Sequence, residues 1–190
     1  MPAPDPAVVA RARWRRLDVP GHDVCRLVRH AGGWRLEGTA EFVEGARRAR
    51  LDYSADCDDV WRTRRAAVRG RLGDRAVARH VGRDEAGGWT LDGVPQPGLE
   101  RLADLDFGFT PATNLVQLRR IALGIGDAAD VTVAWLDAES ASLTALAQRY
   151  ERRSERTYRY ESPSTGYEAE LEVDEAGFVR RYPGLWEAEG

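Results

Sequence analysis

The chain has 190 residues and a formal net charge of −3, the size of a single domain that can bury a core without disulfide support. Two cysteines, Cys25 and Cys57, are too few for a disulfide framework, and the three histidines lack the short spacing of metal ligands. No apolar run is long enough to span a membrane, and the first residues do not form a signal peptide. We therefore expect a cytoplasmic protein with no membrane span, no metal and no cofactor.

Charge is distributed unevenly along the chain. All 28 basic residues are arginines; residues 1 to 83 carry a net charge of +7, and the remaining residues carry −10. A basic region can bind nucleic acid when its arginines gather on one loop or helix. Here they alternate along strand-like segments, so pairing with acidic residues on neighbouring strands is the expected use. We expect no nucleic-acid partner.

The beginning of the chain is rich in proline and alanine and has little to bury. We expect residues 1 to 12 to be a mobile extension of a single domain that covers residues 13 to 190. A short helix over residues 6 to 16 is the alternative, because alanine and arginine favour helices.

From residue 34 onward, apolar or small residues alternate with polar ones, which is the pattern of strands with one solvated face. The clearest runs are residues 34 to 42, 49 to 55, 66 to 72 and 168 to 173. Glycine-containing turns separate successive runs, as in β-hairpins. The predicted fold is therefore all-β: a hairpin-rich antiparallel sheet that forms an open or partly closed β-barrel, with few short helices.

Two segments are less regular. Residues 93 to 102 contain two prolines and should form a loop or an edge strand with one helical turn. Residues 138 to 148 could form a helix, but a strand over residues 141 to 147 is favoured. Neither choice changes the fold class.

One stretch contains more special residues than an ordinary strand or turn. Asp104 and Asp106 alternate with apolar residues, and a glycine, a proline and an asparagine follow within residues 108 to 114. The chain must bend sharply there, and Thr113 and Asn114 can bond to nearby backbone groups. Such a segment is either a cap on the fold or the polar edge of a binding site.

The same stretch carries a resemblance to a known family. The motifs are residues 106 to 114 followed by Arg119-Arg120, residues 14 to 18, and residues 182 to 186. Together they resemble the bacterial "putative glycolipid-binding" family over roughly residues 13 to 187. The resemblance implies an all-β, open or partly closed barrel, similar in outline to lipoprotein carriers, that holds a lipid-like ligand. It brings no agreed set of catalytic residues.

The inward positions of the predicted strands combine small residues with large aromatic ones, which leaves room for a ligand or for another layer of protein. Helix signals are scarce, so few elements are available to supply another layer. We therefore expect a non-enzymatic protein whose concave sheet holds a lipid or glycolipid-like amphiphile. Polar residues at the mouth would contact the head group, and aromatic rings would suit a sugar face. The predicted ligand-binding residues are Trp34, Thr113, Asn114, Arg119, Trp135, Tyr158 and Tyr160. A closed core filled by the inward side chains is the competing interpretation.

Two other functions stay open at the level of sequence. Asp104 and Asp106 lie on one strand face and could be the acid and base of a hydrolase or isomerase, with Arg119 or Arg120 as an oxyanion partner. An exposed edge strand could instead pair with a partner or with a second copy. The sequence is compatible with a monomer and with a homodimer.

Overall fold

The structure is a computed structural model that describes residues 7 to 140 and 142 to 190. Within these residues it contains fifteen β-strands and one α-helix, α1 (Asn114–Ile121). The strands are β1 (Ala7–Arg16), β2 (Gly21–His30), β3 (Gly33–Glu44), β4 (Arg47–Cys57), β5 (Thr63–Leu72), β6 (Arg75–Arg83), β7 (Trp89–Leu91), β8 (Val94–Pro95), β9 (Leu105–Phe107), β10 (Ala128–Leu136), β11 (Thr144–Arg152), β12 (Thr157–Ser162), β13 (Tyr167–Val173), β14 (Val179–Tyr182) and β15 (Trp186–Ala188).

The fifteen strands belong to one sheet, in the order β8-β7-β6-β5-β4-β3-β2-β1-β15-β14-β13-β12-β11-β10-β9. Neighbouring strands are antiparallel, apart from β9 and β10, which run parallel. The first and last strands pair with each other, with Trp14 opposite Ala188, so the run β1–β8 and the run β9–β15 meet at this pair. β8 and β9 are the edges, and the sheet is not closed. The predicted all-β, open or partly closed antiparallel fold is confirmed.

β1 begins inside the segment that we expected to be an extension. Residues 7 to 12 pair with β2 and are part of the sheet, so the alternative of a helix there is wrong. The register shifts between Val8 and Ala10, where a β-bulge inserts an extra apolar residue. Beyond the bulge, residues 10 to 15 alternate small or apolar residues with arginines, which is a strand pattern that the composition of the segment obscured. Residues 1 to 6 lie outside the described residues.

Each of the two irregular segments contributes a strand, although residues 96 to 102 form turns and loop. Pro95 lies in β8, a two-residue strand at one edge of the sheet, where its missing N–H costs no ladder bond. The favoured strand near residues 141 to 147 is present as β11, which begins at Thr144. Ala141 itself lies outside the described residues.

The inner face of the sheet is filled by a loop and a helix of the same chain. We call residues 107 to 118 the plug. Phe107 and Phe109 pack against Tyr53 of β4, and each ring centroid lies 5.9 Å from that of Tyr53. The first five residues of α1 are buried. The expectation that helix signals were too scarce to supply another layer is wrong, because one eight-residue helix and its loop are sufficient.

Two hydrophobic clusters form the core. The larger cluster lies mainly against β1–β8, and the smaller one lies among β10–β14. Leu115 and Val116 of α1 belong to the larger cluster, whereas Leu118 belongs to the smaller. The plug therefore packs against both runs of strands.

Arginines on the outer face pair with acids across the strands, as the alternating pattern predicted. Arg26 of β2 lies 2.7 Å from Glu37 of β3. Asp56 of β4 lies between Arg35 of β3 and Arg65 of β5, at 2.5 Å from each. These ion pairs neutralise much of the positive charge of the first half of the chain within the sheet itself.

Candidate functional site

The sheet has an open seam beside β1. β15 pairs with β1 only from Trp14 to Arg16, and the N-terminal half of β1 has no strand on that side within the described residues. Residues 174 to 178, the turn between β13 and β14, supply the opposite wall. Two cavities of about 850 and 700 Å³ lie along this seam and share Arg11 and Asp174 as lining residues. We call the two cavities together the seam groove.

The larger cavity has an apolar inner wall and a charged outer rim. The inner wall consists of Ala12, Trp14, Cys25, Tyr53 and Phe178, which belong to the larger core cluster or pack against it. Arginines and acids line the rim, among them Arg11, Arg13, Arg26, Arg180, Glu37 and Glu189. Because successive residues of a strand face opposite sides of the sheet, the cavity reaches both faces at the seam.

The smaller cavity is bordered by a stack of aromatic and cationic side chains. Trp34 of β3 and Trp61 stack with ring centroids 4.5 Å apart and an interplanar angle of 12°. The guanidinium group of Arg29 lies 4.7 Å from the Trp34 ring, and that of Arg119 lies 5.9 Å from the Trp61 ring. Arg119 also donates to the carbonyl of Ala176 at 2.9 Å through Nε. The stack thus connects the first half of the sheet to the turn between β13 and β14.

Trp61 is held in a backbone conformation that aromatic residues seldom adopt. Its φ is 66°, in the left-handed region. The Asp58 carboxylate stabilises this loop by accepting hydrogen bonds from the backbone N–H groups of Val60 at 3.1 Å and Arg62 at 2.8 Å. Strain of this kind persists where the surrounding structure fixes it, often at ligand sites. The loop therefore presents the indole to the smaller cavity at a conformational cost.

Asp104 is fully buried and paired with a cation from α1. Arg120 donates to both of its carboxylate oxygens at distances of 2.6 to 2.9 Å. Burial raises the pKa of Asp104, and the hydrogen bonds and charge of Arg120 oppose that rise. The pair fastens the end of α1 to the start of β9.

Asp106 is also buried, and its partners are neutral. The Thr113 hydroxyl donates to one oxygen at 2.6 Å, and the Gln148 side-chain amide donates to the other at 2.8 Å. Burial raises the pKa of Asp106 to about 6, although both hydrogen bonds oppose the rise. Neither Asp104 nor Asp106 lines the seam groove. The two carboxylates therefore hold the plug in place.

The predicted ligand-binding residues lie in three places. Trp34 and Arg119 meet at the smaller cavity. Thr113 and Asn114 are buried in the plug, where the Asn114 amide donates to the hydroxyl of Tyr150 at 2.9 Å. The remaining three, Trp135, Tyr158 and Tyr160, belong to the smaller core cluster or pack against it and do not line the groove.

Asp23 is a notable residue that the sequence analysis missed. Its carboxylate is fully buried and accepts hydrogen bonds from the Tyr53 hydroxyl, 3.1 Å from each oxygen, and from the Thr110 hydroxyl of the plug. Burial raises the pKa of Asp23 to about 7, although these hydrogen bonds oppose the rise. An acid at an inward position of β2, in alternation with Cys25 and Leu27, was the available signal. Arg11 and Trp61 were also missed.

The part of the chain that the structure describes contains no metal site, no disulfide bond and no membrane-spanning helix. Residues 7 to 140 and 142 to 190 contain no group of three or more His, Cys, Asp or Glu side chains placed to hold a metal ion. Cys25 and Cys57 are buried and not bonded to each other. Within the described residues, α1 is too short and too polar to cross a membrane.

The protein is an open antiparallel sheet whose inner face is filled by the plug and whose seam carries the groove. These features define an open-barrel β-protein with a candidate ligand groove. Residues 11–188 match the family described as "Putative glycolipid-binding", and the chain belongs to this family. The resemblance noted from the sequence motifs is thereby confirmed.

One solved structure is similar over most of the chain. It is the crystal structure of a DUF1089 family protein from Pseudomonas aeruginosa, which is 26% identical in sequence and superposes with a TM-score of 0.76. The match covers 87% of this chain and 91% of that chain. No curated protein matches the chain.

Proposed function

We propose that the protein binds a lipid or glycolipid-like amphiphile in the seam groove and holds it there without chemical change. The observation that carries the proposal is the groove, whose apolar inner wall lies beside a rim of arginines and acids. Ligand sites are concave, mostly apolar and contain few polar groups, with volumes of about 300 to 1,000 Å³. Both cavities fall within that range. The description of the family supports an amphiphilic ligand.

The seam groove, rather than the concave centre of the sheet, is the proposed position of the ligand. Phe109, Ala112, Leu115 and Val116 of the plug are at most 2% exposed and occupy that centre. An acyl chain against Ala12 and its neighbours on the inner wall would instead extend the apolar core at the seam. Each methylene group removed from water there contributes about 0.8 kcal/mol.

The smaller cavity suits the polar end of such a ligand. Trp34 and Trp61 combine apolar ring surface with an indole N–H, a combination suited to sugar and glycerol groups. Arg119 and Arg156 line the same cavity, and the N–H groups that they do not use on Ala176 and Glu175 are hydrogen-bond donors. An amphiphile lying along the groove would thus meet an apolar wall and then a polar, aromatic one.

The proposal is tested first on the ligand and then on the groove. Native mass spectrometry of protein purified from its own cells, followed by lipid extraction, should find a bound amphiphile. Ala12→Phe, which narrows the larger cavity, should weaken binding of the uncharged dye Nile red by about tenfold, the equivalent of about 1.4 kcal/mol. Ala145→Phe, on an exposed position of β11, is the matched control and should leave dye binding unchanged.

Thermal melting of both variants checks that they fold. Protein that is consistently empty and fails to bind the dye would exclude the proposed function. Equal dye binding by Ala12→Phe and the parent protein would exclude the seam groove as the site.

The enzymatic alternative has less support. Asp104 and Asp106 are buried, hydrogen-bonded within the plug region and outside both cavities. A catalytic acid or base must reach the proton that it transfers, directly or through one water molecule. The open edge of β1 is compatible with strand pairing, but its position between two cavities favours a small ligand over a partner strand.

A further inference from the structure

We propose that the seam groove selects amphiphiles whose head group carries an oxyanion, and that Arg11 and Arg180 bind this oxyanion from opposite walls of the seam. The inference rests on the proposed function of the groove and adds the chemical class of its ligand. Arg11 lies in β1 and Arg180 lies in β14, and both line the larger cavity. Arg11 also lines the smaller cavity, so it stands where the two cavities meet.

Three other arginines of the groove are already paired with acids, and Arg119 donates to the backbone carbonyls of Ala176 and Glu175. These pairs are Arg13–Glu189, Arg26–Glu37 and Arg156–Glu175, each with a nitrogen–oxygen distance of 2.7 Å. Arg11 and Arg180 form no ion pair with any carboxylate in residues 7 to 140 and 142 to 190. Two guanidinium groups at one cavity are therefore available to a ligand.

Two further carboxylates of the groove already accept hydrogen bonds from nearby donors. Asp174 accepts the backbone N–H groups of Gly177 at 2.9 Å and Phe178 at 2.8 Å, within its own turn. Asp52 accepts the hydroxyl of Thr39 at 2.7 Å. Each acid accepts these hydrogen bonds through its Oδ1 atom, and neither forms an ion pair with Arg11 or Arg180.

The backbone of Arg11 adds a further donor. The carbonyl of Arg13 accepts the N–H of Glu189 at 2.8 Å, so the backbone polar groups of Arg13 point towards β15. Backbone groups of alternate residues in a strand point the same way, and those of Arg11 therefore face the seam. Within the described residues the ladder with β15 does not extend to Arg11. An N–H group and a guanidinium group of one residue thus border the same cavity.

This set of donors favours an oxyanion over a neutral head group. A guanidinium group is a planar fork that can donate two hydrogen bonds to phosphate, sulfate or carboxylate, and charge-assisted bonds are about twice as strong as neutral ones. The adjacent apolar wall favours an acyl chain. An anionic amphiphile uses both features, whereas a neutral one leaves the two guanidinium groups without a counterion.

The test compares two lipids that differ only by a phosphate. Myristoyl lysophosphatidic acid and monomyristoylglycerol share the acyl chain and the glycerol, and each displaces Nile red when it occupies the groove. Wild-type protein should bind the phosphate-bearing lipid about tenfold more tightly. Arg11→Gln and Arg180→Gln should each reduce that preference, and the double variant should abolish it without changing the affinity for monomyristoylglycerol. Raising the salt concentration should weaken only the phosphate-bearing lipid.

Arg48→Gln is the matched control, because Arg48 is exposed on β4 and lies outside the groove. It should leave both affinities unchanged. Equal binding of the two lipids by wild-type protein, or an unchanged preference in the double variant, overturns the inference while leaving the proposed function intact. Failure of both lipids to bind overturns both.

Discussion

Asp23 is a buried acid that no cation in the described residues contacts. Its carboxylate relies on the hydroxyl groups of Tyr53 and Thr110, and it lies beside Trp14 in the strand register. A neutral carboxyl group suits this surrounding, because a buried charge without a partner is costly. Since Thr110 belongs to the plug, the protonation state of Asp23 bears on how firmly the plug is held.

The raised pKa of Asp23 makes stability depend on pH. The folded protein holds this proton up to a pH of about 7, whereas the unfolded chain releases it near the ordinary value of 3.8. The stabilising contribution is therefore complete below about pH 4 and is lost as the pH rises to about 7. The loss is on the order of 4 kcal/mol. Asp23→Asn keeps the shape and removes the titration, so its stability relative to wild type should increase from pH 5 to pH 8 in urea unfolding.

The control for this measurement is Asp74→Asn, which removes an exposed acid from the turn between β5 and β6. Its stability relative to wild type should change little with pH. An Asp23→Asn variant whose stability differs from wild type by the same amount at pH 5 and pH 8 would contradict the assignment.

At the scale of elements, the hairpins were predictable and the plug was not. The alternation of residues 34 to 42 predicts β3, because the apolar residues lie on the face towards the core and the polar residues lie on the opposite face. α1 gives no such signal, because two of its five buried residues are polar, Asn114 and Gln117. Thr113 precedes the helix without a side-chain capping bond, since its hydroxyl donates to Asp106 instead. The helix therefore has a mixed polar and apolar buried face and lacks a side-chain capping bond, although Arg119 and Arg120 lie in its last turn.

Gly108 allows the plug to pass beneath a tryptophan of β10. A Cβ atom at this position would lie 2.6 Å from Cζ2 of Trp135, which is closer than real contacts. Gly108→Ala should therefore destabilise the protein by about 1 to 3 kcal/mol, the usual cost of overpacking. Trp135→Leu on the Gly108→Ala background should recover part of this loss, because it removes the ring that the new methyl group meets.

Urea unfolding of the two single variants and the double variant gives the coupling energy between the positions. Strictly additive effects would mean that the methyl group does not meet the indole. A stable Gly108→Ala variant would mean that the plug passes Trp135 differently.

At the scale of the whole molecule, the contacts that the sequence could not reveal are those between distant segments. The Thr110 hydroxyl reaches Asp23 across 87 positions, and the indole N–H of Trp14 donates to the carbonyl of Val179 across 165 positions, at 2.5 Å. No local period records such pairings. The seam exists only because β1 and β15 meet, so the part of the site contributed by Arg11 could not be predicted, whereas Trp34 and Arg119 could be proposed from residue type.

These long-range contacts predict that the two runs of strands unfold together. α1 packs against both core clusters, and the sheet is continuous through β1 and β15. Leu171 is fully buried in the smaller cluster, so Leu171→Ala should cost about 2 to 5 kcal/mol. We expect the slowest-exchanging amides of β3 to β5 to lose hydrogen-exchange protection to the same extent as those of β12 and β13, because their exchange requires global unfolding. Glu170→Ala, on the exposed face of β13, is the control. Loss of protection confined to the second run would instead mean that the seam separates two independent units, and a ligand in the groove would then stabilise the contact between them.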